Sequence, residues 1–199
     1  MSLMSRKQYH HGNLKQEIIK ESLLQLKLVG ADELSFRTIA KNLGVVSSAP
    51  YNHFDSKRQL FNHLINIGTE ILLKKMNEEK QKKQLPSEQL FYSARAYLKF
   101  SLEEKELFIL MFSKNNQDIK KLIDSISSQF LDIVKEKFKD GRRMRVTEKG
   151  AAMTAWAMVH GLAKLVSNDN LEVIEKNVEL KFEEIFHQMS AIWGKGVAN

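Results

Sequence analysis

Two stretches of this 199-residue chain carry side chains suited to recognition chemistry. One is GVVSSAPYNHF, Gly44–Phe54. The other is AWAMVHGLAKL, Ala155–Leu165. Neither is arranged for catalysis. His160 has no nucleophile or carboxylate at a predictable spacing, and His53 has no second ligand one helical turn away. No Gly-rich phosphate loop and no metal-spaced cluster occurs, so we expect no enzyme activity, no cofactor and no metal. The chain has no Cys. That excludes thiolate chemistry and disulfides, and a cytoplasmic location fits.

What the first stretch can do is touch DNA. Ser47, Ser48 and Ala49 are small, so a helix carrying them can press its backbone close to base edges. A serine hydroxyl donates or accepts at several bases, and an alanine methyl can meet a thymine methyl. Arg37, early in the preceding helix, is a candidate for a base or phosphate contact. Lys57 offers a point charge to phosphate. Arg6 and Lys7 form a basic arm suited to the minor groove.

These residues need a scaffold, and the spacing around them predicts one. SFRTIAKNL reads as a short helix, Phe36–Leu43, with Ser35 as its N-cap. Ala40 is small where two helices approach closely, and Gly44 supplies the positive φ of a tight turn. A second short helix is expected to run up to Phe54. Pro50 is awkward inside it. With Ser47 as N-cap, however, Pro50 becomes N3, where no intrahelical N–H bond is lost, and Val46 and Tyr51 form a hydrophobic staple. Before this pair comes a helix over Leu14–Val29, closed by Gly30 in a left-handed cap.

The longer string LSFRTIAKNLGVVSSAPYNHFDSKRQLF resembles the DNA-binding domain of the TetR family of transcriptional regulators. The likeness lies in Ile39–Ala40, Gly44–Val45, Tyr51, His53–Phe54, Lys57 and Leu60. AWAMVHGLAKL is similar to a Trp-x-x-x-His-Gly segment in one C-terminal subgroup of that family. The resemblance implies an all-α protein. A three-helix helix-turn-helix head over residues 5–56 precedes a helical effector-binding and dimerisation body over 57–195. It also implies that Tyr51, Asn52 and His53 meet DNA, together with Ser35 at the start of the preceding helix. The family often has Ser where this chain has Val46.

Composition agrees with a helical regulator. Hydrophobic residues make up 43% of the chain, enough for a core, and helical spacing runs almost throughout. The net charge is +7, and residues 1–60 hold +4 of it, so the more basic third is the one proposed to meet a polyanion. The run Ala151–Val166 is too short and too polar to span a bilayer, and no membrane partner is expected.

Past Phe54 the pattern predicts a long helix through Leu60, Leu64, Ile67 and Ile71, ending in the polar run NEEKQKKQ, Asn77–Gln84. Further helices are expected from Pro86 and over about 105–113, 118–139, 147–166 and 172–193. Phe91, Phe100, Met111, Phe112, Trp156 and His160 are first of all core, and are also the candidates for contact with a small-molecule effector. Small residues on the penultimate helix and an apolar stripe on the last suit a two-fold dimer. The expected interface is Ala152, Trp156, Val159, Ala163, Val166, Phe182, Ile185, Phe186 and Met189, matching a pseudo-palindromic operator. The expected function is a DNA-binding regulator, a repressor released by an effector. The alternative is a helical-bundle adaptor without specific DNA recognition.

Overall fold

The computed structural model describes residues 13–139, 145–167, 176 and 181–197. Arg6 and Lys7 lie outside them. Among the described residues there are eight α-helices and no strand. The chain divides into two compact units, Met1–Leu64 and Ile65–Asn199. The division falls inside the helix Lys57–Gln81, eight residues after the 56/57 boundary expected from the sequence.

The first unit holds α1 (Leu14–Glu33), α2 (Phe36–Leu43) and the start of α3 (Lys57–Gln81). Its core is Ile18, Leu26, Leu34, Ile39, Phe54, Leu60 and Leu64, all nearly inaccessible. Asn42 donates to the Glu21 carboxylate at 2.7 Å and ties α2 to α1. Gly30 has the expected positive φ, 75°, but its ψ of 177° is extended rather than left-handed helical. It therefore kinks α1, and helical residues resume as far as Glu33. Gly44 is a true left-handed cap, with φ 68° and ψ 29°. Its N–H donates to Lys41 O at 3.1 Å and the Val45 N–H donates to Ala40 O at 3.0 Å. A Cβ on Gly44 would meet nothing within 4 Å, so the backbone angle, not crowding, requires glycine there.

The second unit contains the rest of α3, then α4 (Pro86–Glu103), α5 (Lys105–Met111), α6 (Ile119–Lys137), α7 (Glu148–Leu165) and α8 (Phe182–Val197). The polar run after Asn77 continues α3 as a solvated helical end as far as Gln81. Pro86 opens α4 at a position where its missing N–H costs nothing. Thr147 caps α7 by accepting the Gly150 N–H at 3.1 Å. α4, α6 and α7 pack together around Tyr97, Phe100, Phe108, Phe130 and Val134. The Trp193 indole N–H donates to Ala151 O at 3.1 Å and fastens α8 to α7. Most of the expected 172–181 segment of the last helix lies outside the described residues.

Candidate nucleic-acid interface and effector site

The second element of the helix-turn-helix is shorter and tighter than the sequence suggests. Ala49–Asn52 is a single 3-10 turn. Ala49 N–H donates to Val46 O at 2.9 Å, Tyr51 N–H to Ser48 O at 3.1 Å, and His53 N–H to Pro50 O at 3.1 Å. Pro50 lies in the first turn of this element, where its missing N–H has no intrahelical partner to lose.

This overturns three details. Ser47 is not a cap, because Ala49 N–H is already taken by Val46 O and the structure puts Ser48 at the cap position without a side-chain bond. Val46 and Tyr51 form no staple, since Val46 is 71% exposed. Ala49 is only 7% exposed and turns inward, so it is not available to a thymine. Ser35 also lacks a side-chain cap bond. Only its backbone oxygen serves α2, accepting Ile39 N–H at 3.0 Å.

The outward edge of the unit is made of Arg37 and Lys41 from α2, then Val46, Ser47, Ser48, Tyr51 and Asn52 from the turn, all exposed. Phe36, Ile39 and Ala40 hold the opposite side of α2 in the core. Tyr51 stands edge-on against Phe36 with ring centroids 4.8 Å apart, which supports the ring while the side chain stays exposed. His53 is half-buried. The Lys57 ammonium donates to Asp32 O at 2.8 Å and sits 5.3 Å from the Phe61 ring centre. It has three donors, so the contact leaves two for phosphate.

In the second unit the expected effector residues separate. Phe100 and Met111 are fully buried core. Phe91 lies against Phe186, with centroids 4.8 Å apart, and lines a cavity of about 30 Å³. Phe112, Trp156 and His160 do converge, and Tyr97 and Phe108, members of the same apolar set in the sequence, join them. The Tyr97 oxygen and His160 Nδ1 are 2.7 Å apart. Burial, and then the charge of Lys164, push the His160 pKa down to about 4. Burial also pushes the Tyr97 hydroxyl well above its usual value. The Trp156 indole N–H is buried and reaches hydrogen-bond geometry with no protein atom. The ring centroids of Tyr97, Phe108, Phe112 and Trp156 lie 4.5–6.2 Å from that of His160.

The larger opening lies elsewhere. A cleft of about 460 Å³ runs between the far half of α3, α4 and α8. Tyr92, Leu98, Leu102, Phe182 and Phe186 give it an apolar lining. Ion pairs rim it: Lys75–Glu103 at 2.9 Å, Lys99–Glu103 at 3.5 Å and Arg95–Glu183 at 3.4 Å. The hydrogen bond from Lys75 holds the Glu103 carboxyl below its usual range. The cleft as a whole was not legible in the sequence, because α8, which closes it, comes from far along the chain from the consecutive α3 and α4.

The interface residues also redistribute. Ala152, Trp156, Val159, Ala163, Val166 and Phe186 are buried within the single chain, used up by packing among α4, α6, α7 and α8. Phe182, Ile185 and Met189 are half-buried. The outward stripe of α7 is instead Met153, Ala157, Gly161 and Leu165, at intervals of four.

A helical unit that presents an exposed reading edge after a glycine-capped turn defines a helix-turn-helix DNA-binding regulator. Comparisons with known proteins agree. The profile described as "Bacterial regulatory proteins, tetR family" matches residues 18–64, and "Tetracyclin repressor-like, C-terminal domain" matches residues 90–189, half of the chain. The chain belongs to the tetR family of bacterial regulatory proteins. It is 28% identical over 168 residues to the nucleoid occlusion factor SlmA of Vibrio atlanticus, covering 79% of this chain and 86% of that one. A protein of unknown function from Rhodococcus sp. RHA1 has the same fold, with a TM-score of 0.82, 24% identity, and coverage of 98% and 100%. So does the transcriptional regulator FadR from Bacillus subtilis in complex with stearoyl-CoA, with a TM-score of 0.70, 15% identity, and coverage of 91% and 98%. Among the described residues no cluster of His, Cys, Asp or Glu is placed to hold a metal ion, and no helix is long and apolar enough to cross a membrane.

Proposed function

We propose that the protein is a dimeric repressor in the cytoplasm, that each head reads one half of a pseudo-palindromic operator, and that a small molecule bound in the second unit releases it. The observation that carries DNA reading is the exposed edge Ser47, Ser48, Tyr51 and Asn52, flanked by the cations Arg37 and Lys41. Small polar residues there meet base edges, and the flanking cations meet phosphate.

Size decides between the two effector locations. Ligand sites for small molecules span about 300–1,000 Å³. The cleft of about 460 Å³ fits that range, and a 30 Å³ cavity does not. Its apolar lining and paired rim suit a molecule with an apolar body and a polar end. The ligand-bound FadR structure is consistent with such a role for this fold, without identifying this chain's effector. For the dimer, the stripe Met153, Ala157, Gly161 and Leu165 supports a close two-fold contact, with Ile192 of α8, 66% exposed, as a second apolar element.

Selection of bound duplexes from a random pool, followed by footprinting, tests the reading. A two-fold symmetric winner is expected, with affinity that falls steeply with salt. Equal binding to all sequences would instead favour the adaptor alternative. Leu102→Glu, at the cleft, should abolish release by an effector while leaving operator affinity intact.

A further inference from the structure

Val46 is a large apolar side chain left 71% exposed at the leading end of the reading turn. A lone exposed valine is ordinary on a protein surface. This one has a particular place. It follows the Gly44 turn by two residues and is followed by the exposed Ser47 and Ser48. The leading residues of a recognition element are those that reach base edges. Its backbone oxygen accepts the Ala49 N–H at 2.9 Å, which fixes where the residue sits, while its side chain serves neither as cap nor as staple. Ala49, the other apolar candidate in the turn, faces inward at 7% exposed. The reading edge therefore carries one aliphatic group among hydroxyls, an amide and a phenol.

We propose that Val46 is a specificity-determining residue that reads a thymine 5-methyl group in the major groove. Thymine is the one base that shows a methyl there, and an aliphatic side chain is its natural complement. Valine is stiff at χ1, so little rotamer freedom is lost when it is pinned against the base. Ser at this position would present a hydroxyl and read a different feature. The inference rests on the DNA-binding reading above.

The test separates the two. A duplex selected by the wild-type protein from a random pool establishes specific binding by itself. Each thymine of that duplex is then replaced singly by deoxyuridine, which removes the methyl and leaves every hydrogen-bonding group in place. At one position per half-site we expect wild-type affinity to fall about threefold to fivefold, the worth of one buried methyl. Val46→Ala and Val46→Ser should bind the thymine and deoxyuridine duplexes alike. Both variants alter an exposed side chain, and matching thermal unfolding curves confirm that they fold. The proposal is overturned if no thymine responds to methyl loss. It is equally overturned if the penalty persists undiminished in Val46→Ala, or disappears only in Ala49→Gly.

Discussion

The Tyr97 hydroxyl oxygen and His160 Nδ1 lie 2.7 Å apart, inside a ring of Phe108, Phe112 and Trp156. With its pKa pushed down to about 4, His160 is neutral in the folded protein at pH 7. Its ordinary value is near 6.5. Between these two values the unfolded chain binds the proton more readily than the folded one. Stability from this group is therefore complete above about pH 6.5 and is lost as pH falls toward 4. The groups acting on the ring are Tyr97, through its hydroxyl, and Lys164, through its charge. The melting temperature of the wild type should thus drop more between pH 7 and pH 5 than that of His160→Phe. Parallel profiles would refute the assignment. Tyr97→Phe should cost about 1–2 kcal/mol at pH 7, by leaving the imidazole nitrogen without its partner.

Gly68 sits mid-helix in α3, where Ala is normally better by about 1 kcal/mol. Here a Cβ would stand 2.7 Å from Met111 Sδ and 3.0 Å from Leu107 Cγ. The thioether can swing aside, but the Leu107 branch point is held by α5. We expect Gly68→Ala to be destabilising by about 1–3 kcal/mol. Combining it with Met111→Ala should recover some of the loss in a double-mutant cycle. Gly194→Ala, with nothing within 4 Å of the added carbon, is the control and should be neutral or stabilising. Equal effects at the two glycines would remove the packing argument.

Much of this architecture was legible in the residues. The eight helices follow from apolar spacing and from Gly44, Pro86 and the polar run after Asn77, each of which acts locally. Facing was legible only where a helix has one apolar side. α2 does, with Phe36, Ile39 and Ala40 on its buried side. α7 is small or apolar nearly all round, so spacing did not show that Ala152, Val159 and Ala163 face their own chain while Met153 and Leu165 face out. The partner of Lys57 is a backbone carbonyl 25 residues earlier, and a carbonyl has no sequence signature. The reading turn escaped because a first-turn proline is equally compatible with an α-helix and with a 3-10 turn, so Pro50 did not tell the two apart.

Ser47 tests that last point. It is exposed and caps nothing, so Ser47→Ala should change stability by less than about 0.5 kcal/mol. The same variant should alter sequence preference in a selection from random duplexes, because only base contact remains for its hydroxyl. A loss of about 1 kcal/mol on thermal unfolding would restore it as a helix cap.

Lys57 joins a fold contact to a candidate phosphate contact. Lys57→Met removes the 2.8 Å bond to Asp32 O and keeps much of the stem against Phe61. Head stability should fall by about 1 kcal/mol. Affinity should weaken equally for all duplexes, and the slope of log affinity against log salt should become shallower by about 1 per half-site. A lower melting temperature with an unchanged salt slope would mean that the ammonium only latches the α1–α2 connection to α3.

The outward face of α7 gives the sharpest test of assembly. Leu165 is 53% exposed and Met153 47% exposed in the single chain, with Ala157 and Gly161 between them. If that stripe packs against a second copy, Leu165→Glu places an unpaired carboxylate in the contact twice, once from each protomer. The cost should reach several kcal/mol, enough to separate the copies at micromolar concentration. Because the side chain is exposed in the single chain, the variant should keep its helical circular dichroism. Sedimentation should then report folded monomers, and affinity for the full palindrome should fall far more than affinity for an isolated half-site. Ala163→Glu makes the contrast. That residue is fully buried against its own chain, so the charge should unfold the second unit rather than release folded monomers. If Leu165→Glu remained a dimer with unchanged operator affinity, the two-fold contact would have to lie on another face.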